Sequence, residues 1–354
     1  MYSNNKLKQN LLLLFLGITS VAFSQDAHLS QYYAAPLYLN PALVGTAGDG
    51  RASLNYRNQW TGLPSNYMTI MSAFDTPIPS KNISLGVQIH EDIMGHNAGM
   101  ILDRTMFNAT GGYKFKINKK YSLSFGLQLG FEQSSLGFYK LLFGDQINDD
   151  GITGDPTKDR VSNESIIYPD ISFGSMFYGD NFWFGMSFYH INQPSITRFQ
   201  EGYDKLPLRF SAQAGYRIPL TYRWHGSVAN YDDKFVSFMM HYQAQGTKDQ
   251  LSTGVNLNYK PLILGVWYRG LILKDNEHPS QFNHDALVIM SGIQVKQFTF
   301  GYSFDMPIGG LQLSEGSSHE ISLRYDFNFF PGYRKKNKKG KTGLPTDKCP
   351  TPNF

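Results

Sequence analysis

The sequence predicts an all-β protein: a transmembrane antiparallel β-barrel of about 14 strands. Three observations predict it. The stretch Ser318–Phe327 alternates strictly, with His319, Ile321, Leu323, Tyr325 and Phe327 on one face and Glu320, Ser322, Arg324 and Asp326 on the other. Such a period-2 pattern suits a strand with lipid outside and a polar lumen inside. The composition is strand-forming, with 26 Phe, 22 Tyr and 34 Gly but only 17% charged residues. The mean hydropathy is −0.33, and no apolar run outside the N-terminus is long enough for a membrane helix. A barrel resolves that combination, because its strands are only half apolar.

The chain reads as four regions. Residues 1–24 form a signal peptide: Lys6 and Lys8 are the positive start, Leu11 through Val21 the apolar core, and Ala22-Phe23-Ser24 the small-x-small cleavage pattern. The core is too short for an anchor, and no cysteine follows it to make a lipoprotein. Residues 25–50, with two prolines and no sustained period, form a segment that packs inside or beneath the barrel as a plug or covers the lower strand ends. Residues 51–330 are the barrel, and residues 331–354 a basic periplasmic tail. The tail holds Arg334, Lys335, Lys336, Lys338, Lys339, Lys341 and Lys348. With those residues, Asp347 and the signal-peptide lysines set aside, the body carries 23 Lys and Arg against 27 Asp and Glu. The basic end is therefore either a solvated tail or a contact for an acidic partner. Cys349 is the single cysteine, so no intrachain disulfide is possible.

The predicted strands follow in order: Arg51–Trp60, Tyr67–Phe74, Ile83–His90, Phe107–Ile117, Tyr121–Phe131, Tyr168–Phe177, Phe182–Tyr189, Leu208–Ile218, Phe235–Ala244, Leu251–Tyr259, Leu262–Arg269, Leu287–Val295, Phe298–Asp305 and Ser318–Phe327. Long gaps (Glu91–Asp103, Ser134–Ile167, Ile191–Pro207, Leu271–Asp285, Met306–Ser317) alternate with short ones (Asn118–Lys120, Gly179–Asn181, Lys260–Pro261, Lys296–Gln297). Bacterial barrels have long external loops and short periplasmic turns, which puts both termini in the periplasm. Gly246–Lys248 and Pro219–Lys234 break the alternation. Trp60, Tyr121, Trp183, Tyr259 and Tyr325 near strand ends are expected in interfacial aromatic girdles. A soluble sandwich or propeller is the competing fold, and would bury the apolar faces between sheets.

No linear catalytic, cofactor or metal-ligand constellation is present, and no nucleic-acid partner is expected; the nine histidines are scattered. The most ligand-like stretch is Asp145–Asp155, whose clustered oxygens and glycines suit either Ca²⁺ or an acidic surface loop; it lacks the spacing of an EF-hand.

Several pieces together resemble a known family. They are the mature start Gln25-Asp26-Ala27-His28-Leu29-Ser30-Gln31-Tyr32-Tyr33-Ala34-Ala35-Pro36-Leu37-Tyr38-Leu39-Asn40-Pro41-Ala42-Leu43-Val44-Gly45-Thr46, then Leu54–Trp60, the closing Gly316–Phe327, and Lys348-Cys349-Pro350 with a final Phe354. The chain resembles the PorP/SprF family of outer-membrane proteins of type IX secretion and gliding machinery in Bacteroidota. Thr351-Pro352-Asn353 departs from the family's shorter ending. The resemblance implies a non-enzymatic barrel, without cofactor, in the outer membrane of a Gram-negative bacterium. Its implied partners are the bilayer, periplasmic or outer-membrane components of the machine, or a secreted surface protein or adhesin.

Candidate contact residues are Tyr32, Tyr33, Pro36, Asn40 and Pro41 at the start and Arg334, Lys335, Lys336, Lys338, Lys339 and Lys341 in the tail. The loops Asp145–Asp155 and Gln193–Tyr203 join them. The alternative functions are a solute channel of the fatty-acid transporter type and a purely structural membrane anchor.

Overall fold

A computed structural model describes residues 26–63, 65–78, 81–95, 101–137, 146–148, 151–152, 165–198, 204–220, 234–271, 284–329 and 349–351. The strands are β1 (Arg51–Gln59), β2 (Tyr67–Ile78), β3 (Ile83–Met94), β4 (Ile101–Lys116), β5 (Ser122–Gly137), β6 (Ile147–Asn148), β7 (Gly151–Ile152), β8 (Ser165–Tyr178), β9 (Phe182–Tyr189), β10 (Arg209–Pro219), β11 (Lys234–Gln245), β12 (Lys248–Tyr259), β13 (Leu262–Gly270), β14 (His284–Val295), β15 (Phe298–Pro307) and β16 (Ser318–Asp326). Fourteen of them close a barrel of antiparallel neighbours, sealed where β1 pairs with β16 from Arg51↔Asp326 to Gln59↔Ser318. β6 and β7 form a separate two-stranded ribbon within the long connection between β5 and β8.

The wall is inverted relative to a soluble protein. Leu85, Val87 and Ile89 on β3, Leu127, Leu129 and Phe131 on β5, and Leu264 and Val266 on β13 are exposed on the outside. Ser53, Asn55 and Arg57 on β1 and Glu320, Ser322 and Arg324 on β16 are buried inside. Exposed apolar and buried polar residues alternating along the same strands define a lipid-facing barrel with a polar interior, and overturn the sandwich and propeller alternatives.

Several strands are longer than their alternation indicates. β4 begins at Ile101 and β5 runs to Gly137, where Thr105 and Gln133 occupy outward, exposed positions. Above a lipid band the outer face no longer needs apolar side chains, so the period-2 signal fades while backbone pairing continues. The connection between β3 and β4 is correspondingly shorter than predicted. The two breaks in loop parity persist: β11 and β12 meet at a tight turn, and β10 and β11 are separated by a long connection.

Two girdle assignments are corrected. Trp183 is 1% exposed inside the barrel, because its neighbours Phe182 and Phe184 take the outer positions of β9. Trp60 lies just past β1 with φ +58° and packs against the interior cluster. Tyr121 and Tyr259 do stand exposed at strand ends.

Candidate functional site

The lumen is filled by the chain's own N-terminal segment. Residues 26–49 are buried almost throughout and thread the barrel from its long-loop half to its short-turn end, where β1 begins. The sequence shapes this segment locally. Pro36 and Pro41 occupy the first turns of the short helices Pro36–Leu39 and Pro41–Leu43, where a missing N–H is harmless. Asn40 caps the second: its Oδ1 accepts the Ala42 N–H at 2.9 Å. Its Nδ2 donates at 3.1 Å to the carbonyls of Ser175 and Met186, a cross-strand pair of β8 and β9. Asn40 thereby ties the plug to the wall.

Three groups of buried polar contacts hold the segment. In the first, Glu320 on β16 accepts the backbone N–H groups of Ser30 at 2.7 Å and Gln31 at 3.0 Å. Arg57 on β1 reaches Glu320 at 3.1 Å, Asp305 at 2.7 Å and the Ser30 hydroxyl at 2.9 Å. Arg269 on β13 donates to the Ser30 hydroxyl and to Asp305, each at 2.9 Å. In the second, Asp26 meets His190 Nε2 at 2.7 Å, Arg209 at 3.1 Å and Arg104 at 3.3 Å, and its N–H donates to Gln245 at 2.9 Å. His190 Nδ1 lies 2.7 Å from Asp170. The Tyr38 hydroxyl donates to the Ala27 carbonyl and receives a hydrogen bond from Arg209 at 2.7 Å. In the third, Asp75 on β2 accepts the Gly45 N–H at 2.6 Å and is paired at 2.8 Å with Arg51, which also donates to the Leu43 carbonyl. Such pairing is what buried charges require.

The Asp26–His190 pair has opposed shifts. Burial would raise the Asp26 carboxyl, but His190, Arg209 and Arg104 hold it well below its ordinary range. Burial would lower the His190 imidazole, but Asp26 and Asp170 hold it up at about 9. Both groups are charged at neutral pH.

Wall glycines make room for the plug. A Cβ on Gly126 of β5 would lie 2.2 Å from the Pro41 carbonyl carbon, and one on Gly174 of β8 would lie 2.0 Å from Asn40 Oδ1. A glycine inside a strand often marks such an approach, and that was the available sequence signal for this contact.

Of the predicted contact residues, Tyr32, Tyr33, Pro36, Asn40 and Pro41 come together in the lumen, all buried. Tyr33 accepts a hydrogen bond from Trp183 Nε1 at 2.9 Å, and Tyr32 packs edge-on to Trp267. Arg334, Lys335, Lys336, Lys338, Lys339 and Lys341 lie outside the described residues. So do Asp145, Asp149, Asp150 and Asp155 of the Ca²⁺ reading; Gln146–Asn148 and Gly151–Ile152 are described, and Ile147–Asn148 pairs with Gly151–Ile152 in the ribbon. In the other loop, Arg198 donates to Ser134 at 2.6 Å. The chain returns to the plug at its end: Cys349 is buried, its N–H donating to the Thr46 carbonyl at 3.3 Å. Among the described residues no His, Cys, Asp and Glu grouping suits a metal ion. Sequence reasoning placed Arg57, Asp305 and Glu320 on polar strand faces but did not connect them to Ser30 and Gln31.

The fold and its filled lumen define a class: an outer-membrane-type β-barrel with an internal plug drawn from its own N-terminal region. The chain belongs to the PorP/SprF family of type IX secretion system membrane proteins, whose family model matches residues 21–325. It is thus an outer-membrane protein of type IX secretion. No curated protein matches it. Similar solved structures include the toluene transporter TbuX of Ralstonia pickettii, 11% identical over 83% of this chain and 94% of that one, with a TM-score of 0.46. The P. putida toluene transporter TodX is 10% identical over 82% and 95% of the two chains, with a TM-score of 0.45. A Pseudomonas aeruginosa FadL homologue is 11% identical over 79% and 90%, with a TM-score of 0.43.

Proposed function

We propose that the barrel serves type IX secretion as a docking platform for protein partners rather than as an open solute channel. The observation that carries this reading is the lumen itself, occupied by residues 26–49 through buried ion pairs of Asp26 with β4 and β10 and hydrogen bonds of Ser30 and Gln31 with β1, β13, β15 and β16. A transport path through the barrel would have to displace that segment. The partners are periplasmic components of the secretion machine or a secreted surface protein or adhesin. Long loops outside and short turns inside give the orientation. That orientation supports a periplasmic position for the basic tail, and Asp26 lies inside the barrel in its long-loop half.

The test combines conductance with capture. In planar bilayers the full-length barrel is expected to conduct poorly, and a variant lacking residues 26–44 to conduct as an open pore. Mild-detergent purification of the full-length protein is expected to recover a stoichiometric protein partner. Steady conductance by the full-length barrel, with nothing co-purifying, sinks the platform reading and favours the solute channel.

A further inference from the structure

The long-loop mouth is uneven. β11 and β12 end there in a tight turn, whereas the connection from β15 to β16 is longer and carries a helical turn at Leu313–Gly316. That connection is braced against the one following β1, where the Thr61 N–H donates to the Ser317 carbonyl at 3.1 Å. Between the tight turn and the longer connection lies a cavity of about 750 Å³, within the roughly 300–1,000 Å³ typical of binding sites. Its β15–β16 side presents Ile308 and Leu311, which are 46% and 47% exposed, next to Trp60. These apolar side chains belong to the connection between β15 and β16, not to the alternating outer face of a strand.

The cavity floor is charged. Arg269 Nε pairs with Asp285, whose side chain is 51% exposed, and Gln250 donates to the same Asp285 oxygen at 2.8 Å. Arg269 also pairs with Asp305, which shares Arg57 with Glu320. This connected network holds two guanidinium groups, Arg57 and Arg269, against three carboxylates, Asp285, Asp305 and Glu320. Asp305 and Glu320 are sealed in the lumen. Of these three carboxylates only Asp285 meets solvent, and Asp249 and Lys248 also line the cavity.

We propose that this vestibule docks an extended segment of a protein partner that carries apolar and basic side chains. The apolar groups seat against Ile308, Leu311 and Trp60, and a lysine or arginine meets Asp285. The proposal rests on the docking reading above and gives it a location and a chemistry. The seat adjoins the plug, because Arg269 touches both Asp285 and Ser30.

The probe is a short fluorescent peptide of leucine, lysine and glycine, titrated by anisotropy against the full-length barrel in nanodiscs. Its counterpart has glutamate in place of lysine, and maltoheptaose serves as a glycan competitor. Saturable binding of the basic peptide is expected, about tenfold weaker for Asp285→Lys and for the acidic peptide, since a like charge now faces the ligand. Leu311→Ser, which removes only surface apolar area, is expected to weaken it by a smaller factor. Heat-modifiable gel migration confirms that both variants are folded. Equal binding by wild type and Asp285→Lys, equal binding of both peptides, or displacement by maltoheptaose overturns the proposal. A natural partner recovered equally by wild type and by a variant combining Asp285→Lys with Leu311→Ser also overturns the vestibule, while leaving the platform role intact. Open conductance by the full-length barrel removes the platform role without altering the peptide result.

Discussion

Arg57 shows how much one side chain contributes to seating the plug. It is 1% exposed and bonds to Glu320, Asp305 and Ser30 at once. Removing one partner from a buried ion pair leaves an uncompensated charge and typically costs about 3–5 kcal/mol. Arg57→Ala is therefore expected to lower the unfolding free energy by that order, measured as the urea dependence of the heat-modifiable band. Arg57→Lys should recover part of the loss, because an ammonium keeps the charge but not the planar fork. A wild-type urea midpoint for Arg57→Ala would refute the latch. Trp183 teaches the complementary lesson. Its position near a strand end suggests a membrane girdle, yet its indole points inward to Tyr33. Where three aromatics run consecutively, as in Phe182-Trp183-Phe184, composition does not say which faces lipid.

At the scale of elements, the plug's own charge lies in its first part, at Asp26, while its second part is held by close packing and by the wall pair Arg51–Asp75. The charged part is pH-sensitive in a definite direction. His190 is raised to about 9 in the fold, so its stabilisation is fully present below an ordinary imidazole pKa of about 6.5 and is lost as pH rises through about 9. Asp26 is lowered, so its contribution is present above about 3.9 and is lost as pH falls through its depressed value. The segment is accordingly held most firmly between these limits. Protease cleavage within residues 26–34 is expected to rise between pH 7 and 10, and His190→Gln to flatten that profile. An unchanged profile in the variant would assign the sensitivity elsewhere. The other end of the chain gives a second element-scale prediction. Burial pushes the Cys349 thiol up to about 12, so maleimide is expected to label it only after unfolding in urea. Rapid labelling of the folded barrel at pH 7 would show that residues 349–351 do not stay against Thr46.

For the whole molecule, the decisive property is which face of the wall meets lipid. Leu323 lies on the outer face of β16, paired with Leu54 and Phe300, both exposed. Its neighbour Ser322 is buried inside and bonds to Gln31 at 2.6 Å. An arginine on the lipid face near the bilayer midplane costs about 2–4 kcal/mol. Leu323→Arg is expected to reduce the folded fraction in an outer-membrane preparation, while Ser322→Ala mainly loosens the plug. Equal loss of folded protein from both would mean that the face assignment is wrong.

Alternation along Ser318–Asp326 and its counterparts was enough to determine the fold class, the strand number and which face is polar, because those follow from a period of two along a local stretch. The same pattern could not reach the ends of β4 and β5, where the outer face becomes polar and the alternation stops. Nor could it choose between a plug inside the barrel and a cover beneath it. That choice was made by pairs such as Asp26 with Arg209 and Ser30 with Glu320, whose members lie far apart in the chain. Each is an unremarkable polar residue in its own neighbourhood. Only closure of the barrel brings them together in a site that excludes water, where an unpaired charge is costly and the N-terminal segment supplies the missing partners.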